Sequence, residues 1–200
     1  MGRKAIDRPR KALTPKAEIW VRELVPLLQD KDLSQLTLDD LSDLMGKSKS
    51  TIYSYFSTKE EIYHTSVHLV LKDISAAISM ENLAANDMEQ ALRYMLLNIS
   101  LGIEGISISY LEQLKDHFPD IWATIEEFTG QVRFLLEKIY EKGMEQGSFK
   151  RFNVSLLTAL DHHFVLNIMT NASTFSDQGL SLNDVVTEYL ELRLSALKND

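Results

Sequence analysis

The sequence predicts an all-α chain of about nine helices. Three observations carry that reading. Apolar residues recur three and four positions apart through almost all of its 200 residues, the spacing that lines one face of a helix. Most of these runs open on a Thr, Ser or Asp able to cap a helix N-terminus. Only Ile103–Tyr110 alternates in the manner of a strand. A single strand in a helical chain would have no partner for its backbone groups, so that stretch is assigned to the start of a helix ending near His117.

The elements follow in order. Residues 2–11, GRKAIDRPRK, are basic and poor in apolar side chains. Arg3, Lys4, Arg8, Arg10 and Lys11 form either an arm that falls onto phosphates, with a salt-sensitive contribution, or a solvated, frayed terminus. Thr14 caps a first helix with Pro15 in its first turn, and Trp20, Val21, Leu24, Leu27 and Leu28 give its apolar stripe. Pro26 removes the donor that the Arg22 carbonyl needs, so this helix is expected to bend or to end early. After a connection over Asp30–Gln35, Thr37 and Asp40 have the spacing of a capping box. Leu38, Leu41, Leu44 and Met45 give a short apolar face, and Gly46 stops the helix. Ser48 caps a further helix over Lys49–Phe56, in which Ile52 and Phe56 point inward.

Thr58 and Glu61 repeat the capping-box pattern and open a helix to about Ser79. Residues 80–87 read as a loop, and Asp87 caps a helix to about Leu101. Phe118-Pro119 opens a long helix to about Gly143, followed by a turn over Gly143–Phe149. Two amphipathic helices, Val154–Asn171 and Leu182–Leu197, complete the chain.

A helix, a tight turn with a glycine and a second helix rich in hydrogen-bonding side chains is the helix-turn-helix arrangement, whose second helix enters the DNA major groove. Thr37–Ile62, TLDDLSDLMGKSKSTIYSYFSTKEEI, resembles the DNA-binding motif of TetR-type (tetracycline-repressor-like) bacterial transcriptional regulators. Thr37, Leu41, Gly46, Ser48, Thr51, Ile52, Tyr53, Phe56, Lys59, Glu60 and Ile62 carry the resemblance. Lys47 stands where that family usually has a small apolar residue, and Ser50 where glycine or proline is common. Both departures bear on base preference.

The resemblance implies a division into a DNA-binding domain, residues 1–60 with the motif at 37–56, and a helical effector-binding and dimerisation domain, residues 61–200. It implies that Ser48, Lys49, Ser50, Thr51, Tyr53, Ser54 and Tyr55 face the major groove and that Thr37, Tyr53, Tyr55 and Lys59 reach phosphates. Lys47, a departure from the family, can lay its stem over the core and offer its charge to the DNA backbone. The last two helices would pair with their symmetry mates in a homodimer on a palindromic operator of double-stranded DNA. A small, largely apolar or aromatic effector would bind among the large side chains of the second domain, for which Met95, Tyr110, Phe118, Trp122, Phe128, His163 and Phe164 are the candidates. The expected function is that of a ligand-responsive repressor, repression being the family's commoner habit.

Charge distribution agrees with this division. The net charge of −8 alone argues against a nucleic-acid partner, but residues 1–59 hold 11 Lys and Arg against 8 Asp and Glu, and residues 60–200 hold 10 against 21. A phosphate-binding surface needs that asymmetry. With no cysteine there is no disulfide or thiolate metal site, as fits a reducing cytoplasm. No apolar run is long enough to span a membrane. His64 and His68 have a metal-capable spacing without a third ligand, and the adjacent His162 and His163 diverge by about 100° on a helix. With Asp161 they suit hydrogen bonding in a pocket or packing at an interface better than catalysis. No nucleotide-binding or catalytic motif appears, so neither enzyme activity nor a cofactor is expected. The alternatives are a helical small-molecule or metal-binding protein and a helical enzyme with scattered catalytic residues.

Overall fold

The computed structural model describes residues 10–79, 87–170 and 179–198. Among these residues the regular structure is helical: α1 (Pro15–Leu28), α2 (Leu38–Leu44), α3 (Lys49–Tyr55), α4 (Lys59–Ala77), α5 (Met88–Gly102), α6 (Ile108–His117), α7 (Pro119–Glu145), α8 (Val154–Thr170) and α9 (Leu182–Leu197). An isolated β-bridge between Phe149 and Lys198 ties the turn after α7 to the end of α9. Among the described residues no helix is long and apolar enough to cross a membrane. Arm residues 2–9, most of the loop at 80–87 and the expected end of α8 at Asn171 lie outside the described residues.

The caps read from the sequence start the helices. The side chains of Thr14, Ser48, Thr58 and Asp87 accept backbone N–H groups in the first turns of α1, α3, α4 and α5. Thr37 and Asp40 form the reciprocal box of α2. At α4 the box is modified: the Glu61 carboxylate takes the Ser57 N–H instead of that of the cap residue. Each cap satisfies donors that the helix itself leaves unpaired and stabilises by about 1 kcal/mol.

Three boundaries differ from expectation. α1 runs two residues past Pro26, which sits exposed in the last turn, so the helix does not end early. Ile103–Ser107 is a turn through Gly105, at φ +77°, and α6 starts only at Ile108 behind its cap Ser107. The Ile and Ser alternation arose because Ile103 and Ile106 pack against the core from this irregular segment and Ile108 from the first position of α6. α7 continues to Glu145 because Gly143 is a contact and not a stop. A Cβ at Gly143 would lie 2.1 Å from the Phe149 ring, so glycine lets that ring seat directly on the helix backbone.

Two apolar clusters hold the chain together. In one, Val21, Leu24, Leu28, Leu33, Leu41, Ile52, Phe56, Ile62 and Tyr63 of the first four helices and their connections pack continuously onto Tyr110, Leu111, Leu114 and Phe118 of α6 and its C-terminus. The other joins α4, α5, α7 and α9 through Ile74, Leu92, Met95, Ile139, Tyr140 and Leu194. Arg22 of α1 and Asp73 of α4 add a bidentate ion pair at 2.8 and 3.0 Å, which fixes α1 along α4.

Candidate functional site

The three-helix head is built around Ile52, fully buried on the inner face of α3, and Phe56, buried at its C-terminus. The outer side of α3 exposes Ser48, Lys49, Ser50 and Tyr53. Thr51 and Ser54 are half-buried and already bonded locally, Thr51 to the Ser48 hydroxyl and Ser54 to the Thr51 carbonyl. Tyr55 turns away from this surface and meets the Trp20 ring edge-on, centroids 6.3 Å apart. On the other side of Trp20, the Lys47 ammonium lies 4.8 Å from the ring centroid, a cation–π contact that anchors the turn between α2 and α3 on α1. The turn itself passes through Gly46 at φ +61°, a left-handed conformation that glycine adopts without strain. Arg10 caps the far end of α3, donating to the Tyr53 carbonyl and to the Ser57 hydroxyl, and the Lys11 N–H donates to the Ser54 carbonyl. A guanidinium at a helix C-terminus meets the negative end of the helix dipole.

Behind the head lies a polar joint on the connection between α1 and α2. Leu33 is fully buried, so its backbone N–H and carbonyl must both be satisfied internally. The Gln113 side chain of α6 accepts the Leu33 N–H at 2.7 Å and donates to the Lys31 carbonyl at 2.9 Å. The Leu33 carbonyl accepts from the Lys59 ammonium at 3.0 Å and the Tyr63 hydroxyl at 3.1 Å, both on α4. Lys59 also donates to the Ser34 carbonyl. At the end of α1, the buried Gln29 side chain donates to the Val25 carbonyl and accepts the Ser107 N–H, while the Ser107 hydroxyl donates to the Gln29 carbonyl.

The third feature is a cavity between the helices, about 170 Å³ and open at one mouth. Val25 of α1, Val67, Leu71 and Ile74 of α4, Leu96 and Ile99 of α5, Leu111 and Leu114 of α6, Ile125 and Phe128 of α7, and Val186 and Leu190 of α9 form its walls. Branched aliphatic side chains dominate, with polar groups confined to Tyr110 of α6, Thr129, Arg133 and Tyr140 of α7, Asp161 and His162 of α8, and Tyr189 and Arg193 of α9. A largely apolar cavity with few polar groups is the usual form of a small-molecule site.

Residues 25–65 match the family model for bacterial regulatory proteins of the tetR family, and that segment contains α2, α3 and the whole polar joint on the α4 side. Over that segment the chain is similar to TetR-type regulators. The HTH-type transcriptional regulator YvaF of Bacillus subtilis is 27% identical over 137 residues, 67% of this chain and 70% of that protein. The negative transcriptional regulator IcaR of the Staphylococcus aureus biofilm operon icaADBC is 28% identical over 108 residues. This match spans about half the length of either chain, 54% of each. Among solved structures, the TetR-family regulator PfmR of Thermus thermophilus superposes with a TM-score of 0.65 at 25% identity, covering 90% of this chain and 99% of that one.

The cavity candidates separate. Tyr110 and Phe128 line the wall. The Tyr110 hydroxyl is buried beside that of Ser66 without a well-formed hydrogen bond, and burial pushes it up to about 12. Met95, Phe118 and Trp122 are buried in the packing and are not part of the cavity wall; the Trp122 indole N–H donates to Glu126. Phe164 stacks on the Tyr189 ring at 3.8 Å, off the wall, and His163 is exposed.

The polar end of the cavity is organised by Asp161. It is buried, and its carboxylate accepts from Tyr140 at 3.1 Å, Tyr189 at 2.5 Å and Arg193 at 2.8 Å. Burial, followed by the bond to Asp161, pushes the Tyr189 hydroxyl up to about 12. His162 beside it is held below the ordinary imidazole value by burial and then by the Arg133 charge. The adjacent Asp and His pair was visible in the sequence; the tyrosines and Arg193 that complete it come from α7 and α9 and left no local pattern.

Proposed function

We propose that the protein is a homodimeric repressor that binds a palindromic operator through residues 1–60 and is released by a small, largely apolar effector held in residues 61–200. The observation that carries this reading is the polar joint, which links the walls of the apolar cavity to the reading head. Repression is the activity named for IcaR.

In the proposed complex, the exposed Ser48, Lys49, Ser50 and Tyr53 read the major groove, with Thr51 and Ser54 at its edge and Tyr55 turned inward onto Trp20. Thr37, Lys47 and Lys59 face phosphates. Lys59 already gives two N–H groups to Leu33 and Ser34 and has a third to offer. The dimer forms through α8 and α9, whose outer faces expose Leu156, Leu160 and Leu192 at 59%, 51% and 66%. Apolar side chains exposed together on neighbouring helices are the signature of an interface. A two-fold axis there doubles the base contacts and sets the two α3 helices about one DNA turn, roughly 34–36 Å, apart.

Selection of bound sequences from a random DNA pool at two salt concentrations tests this function. Enrichment of a palindrome supports it and supplies the operator. Purely salt-sensitive binding with no enriched sequence overturns it.

A further inference from the structure

We infer that Gln113 is the positioning residue through which the state of the cavity reaches the reading head. The inference rests on the proposed release by an effector and specifies how it occurs.

α6 has two working faces. Tyr110, Leu111 and Leu114 line the cavity, and so does Ile106 just ahead of the cap. Gln113, in the same helix, uses both ends of its amide on the connection between α1 and α2, at Leu33 and Lys31. No backbone group supplies the Leu33 N–H with a partner; a side chain from 80 residues further along does so. A guest that pushes α6 outward therefore has two results open to it. Either Gln113 carries Leu33 along, or the Leu33 N–H is left buried and unpaired, which is costly in a dry interior. Moving Leu33 also disturbs the Lys59 and Tyr63 bonds to its carbonyl, and these two residues begin α4 directly beside the head. The α1 side of the joint is in the same position: Val25 lines the cavity while its carbonyl holds the Gln29 amide, which in turn holds Ser107 at the N-terminus of α6. The cavity and the head thus share one set of hydrogen bonds, and Gln113 is the member that belongs to α6 alone.

The test fills the cavity permanently and asks whether the head notices. Val186→Phe adds bulk from α9, on a wall that takes no part in the joint. Operator affinity is measured for the full-length protein, Val186→Phe, Gln113→Leu and the double variant, on the duplex recovered by selection, after melting curves have established which variants fold. Ile99→Phe replaces a misfolded Val186→Phe, and Gln113→Met, which keeps the side-chain length and loses both amide contacts, replaces a misfolded Gln113→Leu. The expected result is a loss of about tenfold on filling the cavity in the otherwise unchanged protein, within the usual range of coupling between sites. In the Gln113 variant the same filling should cost under about twofold, a non-additivity that a merely stabilising side chain would not produce. Equal losses in both backgrounds overturn the role of Gln113 and leave effector release standing. No loss in either background, with the operator still bound, overturns release itself and the inference with it.

Discussion

The Lys49 ammonium and the Asp39 carboxylate meet at 2.5 Å across the angle between α2 and α3, and the Tyr53 hydroxyl reaches the same carboxylate at 3.4 Å. An acid thus occupies two of the donors that α3 would offer to DNA. The bond holds Lys49 above its ordinary pKa, but the pair is exposed, and exposed pairs stabilise little, so DNA can displace it. Asp39→Asn should therefore leave the melting temperature nearly unchanged and tighten DNA binding about two- to fivefold at low salt. Fluorescence anisotropy on specific and scrambled duplexes checks this; an unchanged affinity for both would remove Lys49 and Tyr53 from the DNA contacts.

Lys59 has two duties in the proposed complex, the internal tie to Leu33 and Ser34 and a phosphate contact. Lys59→Ala should lower both the melting temperature and the operator affinity, and should reduce the slope of log affinity against log salt by about 0.9. Lower stability and affinity with the same slope would leave only the internal tie.

Leu160 is half exposed on α8 in the proposed dimer interface. Leu160→Glu places a charge where an apolar face would be buried, and should convert the dimer to monomer in sedimentation at micromolar concentration. Loss of operator affinity should accompany it. A dimer that survives the change would move the two-fold axis elsewhere.

Two glycines of α7 should respond in opposite directions to the same substitution. At Gly143 a Cβ would strike the Phe149 ring at 2.1 Å, so Gly143→Ala should destabilise by about 1–3 kcal/mol despite alanine's better helix propensity. At Gly130 a Cβ meets nothing within 4 Å, so Gly130→Ala should stabilise by up to about 1 kcal/mol. Urea denaturation of the three proteins decides it.

The His162 imidazole, its pKa depressed by burial and then by Arg133 and His163, with Glu126 opposing, gives a pH dependence of defined sign. The unfolded chain takes up a proton at this side chain before the folded one does. Its contribution is complete above the ordinary value of 6.5 and is lost as pH falls through the lower folded value. The melting temperature should drop between about pH 7 and pH 5, and His162→Gln should flatten that part of the curve. A curve of the same shape in both proteins would assign the dependence to other groups.

Much of the fold was legible because helix ends are written locally. Thr14, Thr37, Ser48, Thr58 and Asp87 each announce a start within four residues, and the head's inner face needs only Ile52 and Phe56 on one side of a short helix. Ile103–Ser107 misled because irregular backbone can also bury alternate residues. Gly143 misled because a glycine that admits a ring has the same letter as one that ends a helix. The cavity was the least legible part. Its walls draw Val25, Val67, Leu111 and Val186 from helices scattered over the chain, and nothing in an aliphatic residue's own neighbourhood distinguishes lining from filling. The partners of Gln113 lie 80 and 82 residues away and have no sequence signature at all.

The continuity of the core past residue 60 limits how the molecule can be taken apart. A fragment cut at that point would keep only the first two residues of α4, would present the surfaces that pack on Leu114 and Phe118 to water, and would strip the Leu33 N–H of its partner. Transplanting the head onto another regulator's sensing domain meets the same obstacle. A working hybrid has to bring matching residues at 29, 107 and 113 along with the reading helix, so in this protein the interchangeable unit is the head together with the inner face of α6.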